Sequence, residues 1–184
     1  YSEIMLDTHY SNTHVFTQVF NQPDRFNGDE KFAEGLVNRL SILSAAPTSQ
    51  KDTGSAPYVK TSVFGGGDIK DSIWNFSGMS APIQLLQDNT YGVGVTVTTP
   101  PLPDTPNFDG TVRSAPLIVS ANDQIYPSVA LETLRAFYDQ PNYQTRVTPE
   151  VGIEWIRMGR QPPIETTSTA DVMITYWNDF DRVS

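Results

Sequence analysis

Large apolar side chains recur at every second position in several stretches of this chain, as in strands that lay one face on a core. In residues 91–98, Tyr91, Val93, Val95 and Val97 share one face, and Gly92, Gly94, Thr96 and Thr98 share the other. Near the end, Val172, Ile174 and Tyr176 alternate with Met173, Thr175 and Trp177. In residues 150–155 the apolar set is Val151, Ile153 and Trp155, with Glu150 and Glu154 opposite. Further strands are predicted at 14–20, 58–64, 72–76 and 112–119. The first of these sets Val15 and Val19 against Phe16 and Phe20, so both of its faces are predicted to be covered. The three cleanest strands predict one contiguous core of Val93, Val95, Val97, Val151, Ile153, Trp155, Val172, Ile174 and Tyr176.

Two stretches carry the helical period instead. In residues 29–43, Phe32, Leu36, Val37, Leu40 and Leu43 fall on one stripe after the cap-like Asn27-Gly28-Asp29. Gly35 weakens that helix by about 1 kcal/mol relative to Ala. In residues 127–138, Leu131, Leu134 and Tyr138 form a stripe, Pro127 suits the first turn and Pro141 stops the helix. Residues 45–57 read as a polar loop. The run Thr99-Pro-Pro-Leu-Pro-Asp-Thr-Pro106 reads as stiff, extended and superficial.

The expected fold is mainly β with two short helices, as a β-sandwich or jelly roll. An α+β sheet with both helices on one face is the alternative. Residues 1–184 are expected to form a single domain. The opening at Tyr1 suggests a trimmed or processed part of a longer chain.

The chain has 184 residues, 14 prolines, no cysteine and two histidines, His9 and His14. That narrows the nucleophilic and transition-metal chemistry within reach and leaves carboxylates as the plentiful catalytic groups. Its net charge of −9 argues against direct nucleic-acid binding, which needs a basic surface. No run of 18 apolar residues suggests a membrane span. Charged residues make up 18% of the chain, below the ~25% of ordinary domains, and a polar but weakly charged surface suits contact with neighbours.

Each candidate for chemistry meets a plainer account. His9 and His14 stand five apart and share a face in neither regular geometry, so no metal pair is expected; Asp7 with His9 is the better pair. The Gly65-Gly-Gly-Asp68 loop lacks the lysine and the following helix of a phosphate cradle, and reads as a bulge or wide turn. Glu150 and Glu154 lie about 13 Å apart along a strand, beyond the reach of a glycosidase pair. Asp104, Asp109 and the stretch Asn178-Asp-Phe-Asp181 do not match a calcium loop. Asn75-Phe-Ser77 fits the glycosylation triplet.

The expectation is therefore a non-catalytic structural protein that self-assembles, most fittingly a virion coat, spike or tail-ring subunit located in a virion or outside the cell. Its partners would be copies of itself or other structural subunits, with no cofactor or metal. Pro100, Pro101, Pro103, Pro106, Trp74 and Trp177 are the candidate contact residues. The alternatives are a glycan-binding β-sandwich that uses its tryptophans as stacking platforms, and a glycoside hydrolase built on Glu154 and an unseen carboxylate.

Overall fold

The computed structural model describes residues 13–24, 28–49 and 61–176, with backbone alone for 61–64. Of the described residues about a third are strand and about a fifth helix, so the mainly-β expectation holds. Strands β1 (His14–Phe16), β2 (Ser41–Thr48), β5 (Gly78–Ser80) and β6 (Gly92–Val95) form one sheet in which β2 is central. A second sheet has the order β12 (Ile164–Glu165), β11 (Gly152–Arg157), β10 (Tyr143–Thr148), β3 (Thr61–Gly65). A third joins β4 (Asn75–Phe76), β8 (Ile118–Ala121) and β9 (Gln124–Pro127), and β7 (Ser114–Pro116) pairs with β13 (Asp171–Met173) in a two-stranded ribbon. Two helices are substantial, α1 (Gly28–Leu36) and α4 (Val129–Phe137); α2 (Ile69–Ser72) and α3 (Gln84–Asn89) are short.

Helix α4 forms where its pattern predicted it. Ser128 caps it, its hydroxyl accepting from the Leu131 N–H at 3.2 Å, while Pro127 stays in β9. At the other end Asp139 turns left-handed, and the Gln140 and Asp139 N–H groups bond back to the Arg135 and Ala136 carbonyls. The helix predicted over 29–43 stops at Leu36, after 9 residues. Asn38 adopts φ of 60° and ends it, and the chain becomes β2, where Leu43 and Ala45 are fully buried. The polar loop predicted from residue 45 is therefore strand as far as Thr48, and residues 50–57 lie outside the described part. The predicted strand 72–76 is a helix end followed by the two-residue β4, and 112–119 divides at Leu117 into β7 and β8 of different sheets. Of 91–98, residues 92–95 are strand.

The core is two clusters rather than one. The first gathers Phe32 and Leu36 of α1, Leu43, Met79, Leu86, Val93, Val95 and Tyr126. The second gathers Ile69, Ile118, Leu131, Tyr143, Val147, Ile153 and Ile156. Strand β8 is the wall between them: it is buried throughout, with Ile118 in one cluster and Val119 and Ala121 in the other. Of the predicted core, Val151, Ile174 and Tyr176 are exposed and Trp155 is half-buried. A bulge is the reason on β11: Arg146 faces Trp155 while Val147 faces Ile153, leaving Glu154 unmatched. The bulge reverses the alternation, so Ile153 and Ile156 both turn inward.

Candidate functional site

Residues 96–113 connect β6 to β7 without regular structure, and the base of this connection is fixed by one side chain. Asn107, itself buried, donates from Nδ2 to the carbonyls of Thr99 at 2.8 Å and Ser114 at 3.0 Å. Its Oδ1 accepts from the N–H groups of Arg113 at 2.7 Å and Ser114 at 3.0 Å. A short amide matches backbone donors and acceptors at once, so one Asn closes the loop as a strand pair would. Thr105 braces the tip, donating to the Pro100 carbonyl at 2.7 Å and accepting from the Leu102 N–H.

A second cluster ties this base to the rest of the chain. Asp171 is buried at the start of β13 and accepts from Trp74 Nε1, from Thr99 Oγ1 at 3.0 Å and from Thr169 Oγ1 at 2.5 Å. Ser114 donates to Thr99 Oγ1 at 2.8 Å and joins the two clusters. Outside, Arg113 grips Asp109 with both guanidinium arms, at 2.6 and 2.8 Å. That hydrogen-bonded pairing holds the Asp109 carboxyl well below the usual carboxylate range.

The predicted contact residues are thus placed unequally. Pro101 and Pro103 stand exposed at the tip, while Pro100 and Pro106 are half-buried at its shoulders. Beside them Leu102 is 49% exposed and Phe108 is 64% exposed. Trp74 is half-buried against the first core cluster and its N–H is committed to Asp171. Trp177, His9, Asp7 and residues 178–181 lie outside the described residues. Sequence reasoning passed over Asn107, Thr99, Ser114 and Asp171; an Asn set between Pro106 and Asp109 was the available signal.

Glu154, on which the hydrolase alternative rests, is engaged by its neighbours. It accepts from Thr148 and pairs with Arg146 at 3.1 Å. Glu132 is buried with Arg135, bonded at 2.6 and 2.8 Å; burial pushes its carboxyl up more than the guanidinium pulls it down. Burial likewise raises the Tyr143 hydroxyl. A hollow of about 410 Å³ lies between the glycine loop and the 148–152 turn, with Asp68, Asp71 and Glu150 at its margin. Asp68 caps α2 there, accepting from the Lys70 N–H at 3.0 Å. Among the described residues no group of three or more His, Asp or Glu is placed to hold a metal ion. No helix of the described residues is long and apolar enough to cross a membrane.

Set against known protein families, curated sequences and solved structures, the chain matches none.

Proposed function

We propose that this chain is a non-catalytic structural subunit that works by contact with copies of itself or with other structural subunits, as in a virion coat, spike or tail ring. The observation that carries this reading is the 96–113 loop. Its base is clamped by Asn107, and its exposed surface presents Leu102 between Pro101 and Pro103 and Phe108 just past Pro106. A loop fixed before docking loses little entropy on binding, and apolar side chains held out on a stiff frame suit anchoring in a neighbour. The low charged fraction supports the same reading.

Light scattering after size-exclusion chromatography, over a rising concentration series, tests it. Wild type should associate, and Leu102→Ser with Phe108→Ser should weaken the association at least tenfold while thermal stability is kept. A chain that stays monomeric at the highest concentration, with no structural partner, overturns the reading.

A further inference from the structure

Among the described residues, the β7–β13 ribbon has one open side. The Ile174 N–H bonds the Arg113 carbonyl at 2.7 Å, and the Leu117 N–H bonds the Ala170 carbonyl at 2.9 Å. With Val172 opposite Ala115, these bonds turn the backbone of residues 170, 172 and 174 toward β7. The backbone of 171, 173 and 175 therefore faces away from β7. Asp171 is satisfied there, exchanging bonds with Thr167. At Met173 and Thr175 no further strand lies alongside among the described residues. The far side of β7 is closed, since Ser114 bonds Thr99 and Asn107.

The side chains do nothing to guard this edge. Val172-Met-Ile-Thr-Tyr176 has no charge, no proline and no glycine, the devices by which edge strands usually avoid pairing. Met173 is 59% and Tyr176 67% exposed, and Ile174 is exposed between them. Tyr176 is steadied by donating to the Val112 carbonyl at 2.6 Å, which keeps the segment extended beside the ribbon.

We infer that residues 172–176 are the seat of a two-fold contact, an antiparallel pairing of this edge with the same edge of a second copy, centred on Ile174. The inference rests on the self-assembly reading and names its contact. The occupant follows from self-complementarity. With the axis at Ile174, Met173 of each copy faces Thr175 of the other, and both present their backbone groups outward, so the pairs exchange both bonds. Ile174 meets Ile174, and Val172 meets Tyr176. In a chain of net charge −9, this uncharged segment lets two copies approach without like charges facing one another.

A single cysteine in this cysteine-free chain reads the register directly. Ile174 faces its copy in the non-hydrogen-bonded position, where Cα atoms stand about 4.5 Å apart, within the disulfide range of roughly 4.4–6.8 Å. Under mild oxidation Ile174→Cys should become mostly a disulfide-linked dimer. Met173→Cys alone should cross-link at least tenfold less, and mixing it with Thr175→Cys should restore cross-linking. Thr175→Pro removes an outward N–H and spares the bonds to β7. It should weaken association at least tenfold in sedimentation velocity with an unchanged far-UV circular dichroism spectrum. The inference is overturned if Ile174→Cys stays monomeric, or cross-links no faster than Met173→Cys. If the chain still associates in that case, edge pairing falls while self-assembly stands; if wild type never associates, both fall. An Ile174→Cys chain that remains monomeric yet binds an added extended peptide overturns the second copy as the occupant.

Discussion

The Trp74 indole N–H lies 3.1 Å from each carboxylate oxygen of Asp171, joining residues 97 positions apart in sequence. With Thr99 and Thr169 also donating, one buried carboxylate ties the 96–113 loop, the β4 segment and the start of β13 together. Trp74→Phe should cost about 1.5–3 kcal/mol, the usual worth of a hydrogen bond to a charged group. Asp171→Ala should cost more, because several donors then lose their shared acceptor. Urea denaturation of both variants checks the order, and an equal or inverted cost refutes the hub.

Gly94 lies under the first turn of α4. A Cβ there would stand 2.5 Å from Val129 Cα and 2.7 Å from its nitrogen, both backbone atoms. Helix and strand cannot separate without breaking the Val95–Ser128 bridge. Gly94→Ala should therefore destabilise by about 1–3 kcal/mol or more, as overpacking does. An unchanged melting temperature would show that the two elements slide freely.

The bulge at Glu154 makes a sharp forecast for β11. Ile153→Ala should cost about 2–5 kcal/mol. Val151→Ala, at a position 55% exposed, should change stability by no more than about 0.5 kcal/mol. Equal costs would restore the uninterrupted alternation that the sequence suggests.

Burial raises the Glu132 carboxyl from its ordinary value of 4.5, and Arg135 pulls it part of the way back. The folded state thus holds this proton to higher pH than the unfolded chain, and the group's contribution to stability falls as pH rises from about 4.5 through the folded value. Arg135→Ala removes the opposing charge and raises that carboxyl further. The variant should lose about 3–5 kcal/mol at pH 7 and distinctly less near pH 4.5, where Glu132 takes up a proton. Denaturation curves at the two pH values measure the difference, and a pH-independent loss would remove Glu132 as its cause.

Asn107→Ala should open the loop base, since it strips partners from the backbone of Thr99, Arg113 and Ser114. Limited proteolysis should then cut within residues 100–110 at least tenfold faster than in wild type, with the rest of the chain intact. An unchanged cleavage rate would mean that the prolines alone hold the loop.

What the sequence disclosed divides along physical lines. Helix α4 was readable from its helical period and the Pro141 stop, although of the predicted stripe only Leu131 is buried while Leu134 and Tyr138 are exposed, and the Ser128 cap was passed over. The leucines at 36, 40 and 43 mimic one helical stripe, yet Asn38 breaks the chain and sends Leu43 into a buried strand. The Asn122-Asp123 pair, with both residues at positive φ between β8 and β9, was a hairpin signal that the sequence reading passed over. The phase of β11 was hidden because a bulge depends on the partner strand, which no local pattern records. At the site, the stiffness of the prolines could be read, but the Asn107 clamp joins groups that meet only once the fold has formed.

The partnership of β3 with β10 governs how the chain is made. The two strands run parallel, with Thr61 beside Tyr143, so β3 waits for about 80 further residues to be synthesised before its partner exists. At roughly 5–20 residues per second that wait lasts on the order of ten seconds. Strand β4 waits similarly for β8, as does Trp74 for Asp171. During synthesis the N-terminal half therefore holds unpaired strands and open apolar surface, and its safe folding depends on the ribosome's pace and on whatever shields a nascent chain.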